Sequence, residues 1–163
     1  MSIELRVITE DDWAGFRSLR LRALADSPDA FAVTRAEADQ ETEAFWRERA
    51  SGPDPVVVAF DNDRAIAMGG VYAPDDSTDA AVWGMWVEPT RRGEGLGARI
   101  LHELVAYVDG LRRDAVLHVS DGNAARRLYE SSGFVSTGEW ETLRDGSDVQ
   151  MELLRRARHP RQP

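Results

Sequence analysis

Two arginines followed by three glycines at alternate positions are the residues of this chain whose types and spacing could do chemistry. They fall in the stretch Val87-Glu88-Pro89-Thr90-Arg91-Arg92-Gly93-Glu94-Gly95-Leu96-Gly97. The apolar run Ala81 to Val87 leads into it, and an amphipathic segment through Leu111 leads out. Strand, glycine loop and helix start form the layout of an anion-binding turn. Glycine lets the main chain come close to a ligand. The N–H groups of a helix start lack helical acceptors and sit at the positive end of the dipole, so they favour phosphate. Arg91 or Arg92 could add a bidentate, charge-assisted contact. The expectation is a cradle for a pyrophosphate.

Such a cradle needs elements to hold it. Leu5-Arg6-Val7-Ile8 alternates and predicts a first strand. Thr9 to Asp12 reads as a capping box before a helix carrying Trp13, Phe16, Leu19, Leu21 and Leu24. Asp26-Ser27-Pro28-Asp29 breaks that helix, and a second is expected over Arg35 to Ala50. Val56–Phe60, Ala65–Ala73 and Ala81–Val87 read as three strands of an antiparallel meander. Leu96, Ile100, Leu104, Val108 and Leu111 mark one face of the helix after the glycines. A strand over Ala115–Val119 and a short helix over Asn123–Ser132 follow, with Gly133 at its C-cap. Strands over Val135–Leu143 and Val149–Leu153 close the chain, and Arg155 to Pro163 reads as a flexible tail. The order β-α-α-β-β-β-α-β-α-β-β predicts an α+β fold in three α/β/α layers, with a mixed, mostly antiparallel central sheet. Residues 1–154 are expected to form one domain, with 155–163 outside it.

Composition narrows the function classes. Cysteine is absent, so disulfides, thiolate metal sites and an acyl-cysteine intermediate are excluded. All 20 basic residues are arginine, the usage of a GC-rich bacterial genome. A net charge of −9 opposes nucleic acid and anionic membrane and mildly favours a cationic substrate. The sequence lacks a long apolar run and a basic-then-apolar start, so the expectation is a cytoplasmic protein with no membrane partner. Five tryptophans leave room for a homodimer but locate no interface. The three histidines are scattered without metal-ligand spacing, so no metal is expected.

A second motif joins the glycine loop: Asn123-Ala124-Ala125-Arg126-Arg127-Leu128-Tyr129-Glu130-Ser131-Ser132-Gly133-Phe134. With Arg92-Gly93-Glu94-Gly95-Leu96-Gly97, and a helix and strand between the two, the chain resembles the GNAT superfamily of acyl-CoA N-acyltransferases. The resemblance implies acetyl-CoA as co-substrate and a primary amine, on a small molecule or a peptide N-terminus, as acceptor. Met85, Trp86 and Val87 would lie along the pantetheine arm, pairing with it as a neighbouring strand would. Arg92, Gly93, Gly95, Leu96, Gly97 and Ala98 would hold the pyrophosphate. Asn123 would touch the pantetheine region, although it stands one residue closer to the Leu-Tyr pair than the family pattern has it. A helix N-cap is its alternative role. Tyr129 would sit near the thioester sulfur. The acceptor pocket would involve Asp26 to Phe31, Trp46, and Glu139-Trp140-Glu141, whose acidic and aromatic side chains would suit a cationic amine.

Acyl transfer sets three requirements. An alkyl ammonium, pKa about 10.4, must lose its proton before it attacks. The tetrahedral oxyanion needs donors, and the resemblance implies a main-chain N–H near Trp86 or Val87 as one of them. The leaving thiolate needs a proton, which a tyrosine with a pKa of about 10 still carries at neutral pH. Tyr129 is thus the candidate general acid, with a core packing role as the alternative. Glu88 and His118 are weighed as bases, against a surface carboxylate and a packed histidine. Without cysteine, direct attack in a ternary complex is the economical route. Two other readings stay open. Gly93, Gly95 and Ala98 also satisfy the G-x-G-x-x-(G/A) fingerprint of a dinucleotide-binding oxidoreductase. A non-catalytic module that only binds acyl-CoA is the other.

Overall fold

Alternating apolar residues at the chain start form β1 (Ile3–Val7), which pairs antiparallel with β2 (Val56–Asp61). β2 continues into β3 (Arg64–Tyr72) and β4 (Asp79–Val87) as the expected antiparallel meander. This is a computed structural model, and it describes residues 2–158. β5 (Asp114–Ser120), β6 (Val135–Thr142) and β7 (Gln150–Arg156) complete one seven-stranded sheet in the order β1-β2-β3-β4-β5-β7-β6. Every neighbouring pair is antiparallel except β4 with β5.

Helices cover both faces. On one side α1 (Trp13–Asp26), α2 (Arg35–Asp39) and α3 (Glu43–Ser51) enclose a core containing Phe16, Leu19, Leu24, Trp46, Val58 and Met68. On the other, α4 (Leu96–Gly110) and α5 (Arg126–Ser131) pack a second core. Ile100, Leu101, Leu104 and Val108 of α4 are fully buried there against Ile66, Ala80, Leu117 and Leu154. Burying each such side chain contributes about 1.5–3 kcal/mol, which fixes α4 firmly on the sheet.

Two expectations need correcting. The helix expected over Arg35 to Ala50 is two helices. The hydroxyl of Thr42 accepts the Phe45 N–H at 3.1 Å and starts a new helix there. Such a side-chain cap competes with continuation of the preceding helix. The flexible tail expected from Arg155 does not begin there. β7 runs through Arg156, because Arg155 pairs with Asp79 at 2.8 Å and Arg156 with Asp109 at 2.7 Å. Residues 159–163, His159 among them, lie outside the described residues.

Two irregularities in β4 shape the middle of the sheet. Met68 pairs with Trp86 and Gly70 with Trp83, so Gly69 alone faces Gly84 and Met85. Gly84 takes the extra residue of this bulge at φ 70°, a conformation that favours glycine. On its other edge β4 pairs with β5 only from Asp79 to Ala81, opposite Asp114 to Val116. Beyond Ala81 the strands part, leaving that edge of β4 without a strand neighbour.

Candidate active site

The parted strands leave a cavity of about 340 Å³. Met85, Trp86 and Val87 of β4 line it, with Arg92, Gly97, Asn123 and Tyr129. Seven of the residues singled out from the sequence therefore meet in one place, although they come from segments far apart in the chain. Ser27 and Ala30, in the turn after α1, form the facing wall.

The glycine loop is built as a helix start. Gly93 (φ 86°) and Gly95 (φ 81°) are left-handed, and a Cβ at either would meet open space. Conformation, not crowding, calls for glycine there. Gly97 is different: a Cβ there would lie 3.3 Å from Leu128 Cδ2, so the missing side chain lets α4 approach α5. Arg99 N–H donates to the Gly95 carbonyl at 3.1 Å. The N–H groups of Leu96, Gly97 and Ala98 come before that bond and have no acceptor in the helix. Leu96 buries its side chain in the core, so only its main chain is offered to the cleft.

The two arginines part company. Arg91 donates to Asp61 at 2.6 Å and to Glu94 at 2.9 Å, which pins the loop to the end of β2. Arg92 turns the other way. Its Nε donates to the Val87 carbonyl at 3.0 Å and its Nη2 to Asp26 at 2.9 Å. Glu88 N–H donates to Ile66 of β3, so by strand alternation the main chain of Val87 faces the cleft. Asp26 also accepts from Ser27 Oγ at 2.7 Å and Trp86 Nε1 at 3.1 Å. Those bonds, Ser27 first and then Trp86 and Arg92, hold its carboxyl below the usual range.

Tyr129 is buried, with 6% of its surface exposed, and packs edge-on to Phe134 at 6.2 Å between centroids. Burial pushes its phenol well above the ordinary tyrosine value, so the group holds its proton throughout the neutral range. Asn123 stands in the turn before α5, whose N-cap is Ala125, and its Oδ1 accepts the Ala125 N–H at 2.9 Å. It lines the cavity as well.

Other anticipated residues fall elsewhere. Trp46 is 3% exposed and packs on Phe16 and Phe45; it does not line the cavity. Trp140 pairs with Glu152 and shares its face, the side of the sheet carrying α4 and α5. Neither it nor Glu139 reaches the cavity. Phe31 is buried next to Ala30 of the cavity wall, and its carbonyl accepts from Arg144 at 2.8 Å. Glu88 is held by Arg22 at 2.6 Å and by Arg64, which removes it as a free base. His118 is half-exposed rather than packed, and its Nε2 lies 3.1 Å from Glu141.

Two features escaped the sequence reading. Glu152, 1% exposed on β7, accepts from Arg126 of α5, Ser136 of β6 and the Gly138 N–H, and so ties α5 to the sheet. Its hydrogen bonds, that from Ser136 first, lower its pKa. Arg20 of α1 stacks on Phe31 (4.8 Å) and Trp83 (5.7 Å), and its buried Nη1 has no hydrogen-bond partner among the described residues. A signal for Arg20 was in the sequence. It stands four residues after Phe16 and four before Leu24, on the apolar stripe of its own helix.

Comparison with known proteins fits this geometry. The model of the acetyltransferase (GNAT) family matches residues 17–134. The chain belongs to that family. The dinucleotide reading of the glycines thereby loses its support. A mycothiol acetyltransferase of Clavibacter sepedonicus is 29% identical over 134 residues, 81% of this chain and 42% of that protein. A second, from Brachybacterium faecium, is 27% identical over 78% of this chain and 39% of its own length. This GNAT chain therefore spans about two fifths of the curated relatives it matches (42% and 39%). Among solved structures, yncA of Salmonella typhimurium, a putative acetyltransferase with its cofactor acetyl-CoA, superimposes with a TM-score of 0.79 at 18% identity, covering 100% of this chain and 98% of that one. A phosphinothricin acetyltransferase from Sinorhizobium meliloti, in complex with acetyl-CoA, gives 0.76 at 19% identity over 96% of this chain and 88% of its own. No helix among the described residues is long and apolar enough to cross a membrane.

Proposed function

We propose that this protein moves the acetyl group of acetyl-CoA to a primary amine by direct attack within a ternary complex. The observation that carries the reading is the cavity where β4 parts from β5, with the free N–H groups of the α4 start at one end and Tyr129 in its wall. The pyrophosphate would rest on the N–H groups of Leu96, Gly97 and Ala98, with Arg92 released from Asp26 to meet it. The pantetheine arm would take the strand place left vacant beside Met85, Trp86 and Val87.

The chemistry follows from those positions. The neutral amine attacks the thioester carbonyl carbon, and the tetrahedral oxyanion forms beside the Val87 N–H, which faces the cleft. Collapse breaks the C–S bond, and the phenol of Tyr129 gives its proton to the departing sulfur. The nitrogen of the tetrahedral adduct loses one proton to solvent as the amide forms, and return of a proton from solvent to the Tyr129 phenolate closes the balance.

Acetyl-CoA at about 100 times its Kd should stabilise the fold by about 2.7 kcal/mol, and so raise Tm by roughly 5–10 °C for a domain of this size. Free-thiol release with a panel of amines then tests turnover. A thermal shift without thiol release from any amine would favour a module that binds acyl-CoA without catalysis. No shift at all would overturn the reading.

A further inference from the structure

A second cavity, about 650 Å³, opens on the α3 side of β4 and is lined by Phe45, Glu48, Arg49, Tyr72 and Trp83. The two cavities meet β4 at neighbouring places. Trp83 lines the larger one and Met85 the smaller, with Gly84 of the bulge between them. Arg20 Nη1 lies 3.6 Å from where a Cβ on Gly84 would stand. A buried guanidinium therefore lies at the β4 bulge against Trp83, which lines the larger cavity, while Arg20 itself lines neither cavity.

That guanidinium has no anion. Arg20 makes no ion pair among the described residues, and its contacts are the faces of Phe31 and Trp83. Arg49 approaches the same Trp83 ring at 5.1 Å and also lacks a carboxylate partner among the described residues. The two cations repel, and burial together with Arg49 pushes the pKa of Arg20 down to about 10. Ring faces offset only part of the cost of burying a cation. The other arginines around the cleft are matched: Arg22 with Glu88, Arg91 with Asp61 and Glu94, Arg92 with Asp26. An anion placed between Arg20 and Arg49 would satisfy the orphaned Nη1 and relieve the repulsion.

We propose that Arg20 and Arg49 bind a carboxylate carried by the acceptor, so that the acceptor is an amino acid or a close relative rather than a plain cationic amine. The inference rests on the acetyl-transfer reading above. The acceptor would lie along Trp83 in the larger cavity, its carboxylate on Arg20 and its amine directed past Gly84 toward the thioester. This reverses the acceptor charge expected from the composition.

The test uses the full chain, acetyl-CoA, and matched acceptors that differ only in the acid: free α- and ω-amino acids, their primary amides, and the decarboxylated amines. Thiol release is measured for each. The carboxylate members should exceed their amides by about 10- to 100-fold in kcat/KM, the range expected for charge-assisted hydrogen bonds to one anion. In R20M that ratio should fall toward one, and R20K should restore part of it. If R20M fails to fold, R49Q, at an exposed position, should still lower the ratio. Equal or better turnover of the amides by the unaltered protein would overturn the inference and leave acetyl transfer standing. Binding of acetyl-CoA without thiol release from any member would favour the non-catalytic module and overturn the inference together with the transfer reading. Absence of any acetyl-CoA thermal shift would overturn both.

Discussion

Replacing Tyr129 by phenylalanine isolates one oxygen. The ring would keep its edge-on contact with Phe134 and its place in the core, so Tm should move by no more than a few degrees. What is lost is a proton donor in the cavity wall. General acid catalysis is worth about 10²- to 10⁴-fold. A thiol with a pKa near 8.5 is a fairly good leaving group, so the lower end applies, about 100-fold in kcat, or about 2.7 kcal/mol. Because Tyr129 lacks ground-state work on the cofactor in this scheme, KM for acetyl-CoA should change less than kcat. Burial raises the phenol pKa, so its deprotonated form is absent at neutral pH and the ratio of parent to variant rates should stay flat across the neutral range. The assay is thiol release at saturating acetyl-CoA with an amine found by the panel above. A thioester with a more acidic thiol should narrow the gap, because its leaving group needs the proton less. A Y129F protein with kcat within about threefold of the parent, well below the general-acid range, would refute the assignment and leave Tyr129 as a packing residue.

Other perturbations follow from the same geometry. R92A should weaken acetyl-CoA binding by about 10-fold, more at low salt than at high, as read by calorimetric titration. R91A should act instead on the loop's anchorage to Asp61 and appear mainly as a lower Tm. G70A should destabilise the fold by about 1–3 kcal/mol in a urea titration, because its Cβ would fall 2.6 Å from the Trp83 ring. Glu152 has a folded pKa below its ordinary 4.5, so its contribution is complete above that pH and is lost as pH falls through the folded value. The stability gap between the parent and E152Q, measured by denaturant titration, should therefore narrow on acidification from pH 5 to pH 3.

Legibility followed the range of the interactions involved. The glycine loop, α4 and the meander are local patterns of turn chemistry and periodicity, and they were readable to within a few residues. The Asn123-to-Phe134 segment was readable as a motif, and only the fold could show that it closes the same cavity as Met85 and Arg92. The break at Thr42 was missed because a capping threonine inside an apparently continuous helix looks like any polar residue. Trp140 falls outside the cavity for a reason of register. In a strand, neighbouring residues face opposite ways, and the bulge at Gly138 decides which of Trp140 and Glu141 shares a face with Glu152. Glu152 itself depended on partners from α5 and β6, contacts with no trace in its own neighbourhood of the sequence.

On the carboxylate proposal net charge is the weaker guide to the acceptor, and the pairing of charges gives the reason. The excess of acid is a property of the whole surface, whereas a buried subsite responds to whichever charges are left unmatched within a few ångströms. Around the cleft Asp26, Asp61, Glu88 and Glu94 each have an arginine, so their charges are largely spent. Arg20 and Arg49 each approach the Trp83 ring, and neither has a carboxylate partner among the described residues. A buried charge interacts through a lower effective dielectric than water, so one unmatched guanidinium there outweighs several solvated carboxylates farther than a Debye length, about 8–10 Å in physiological salt. The net −9 of the chain would then govern how an acceptor approaches, and Arg20 which acceptor stays. Raising the salt should accordingly speed capture of a carboxylate-bearing acceptor by screening the surface, with little loss of the preference set at Arg20. A preference for carboxylate acceptors that collapsed between 50 mM and 500 mM salt, in the manner of solvent-exposed pairs, would place the selecting charge at the surface instead.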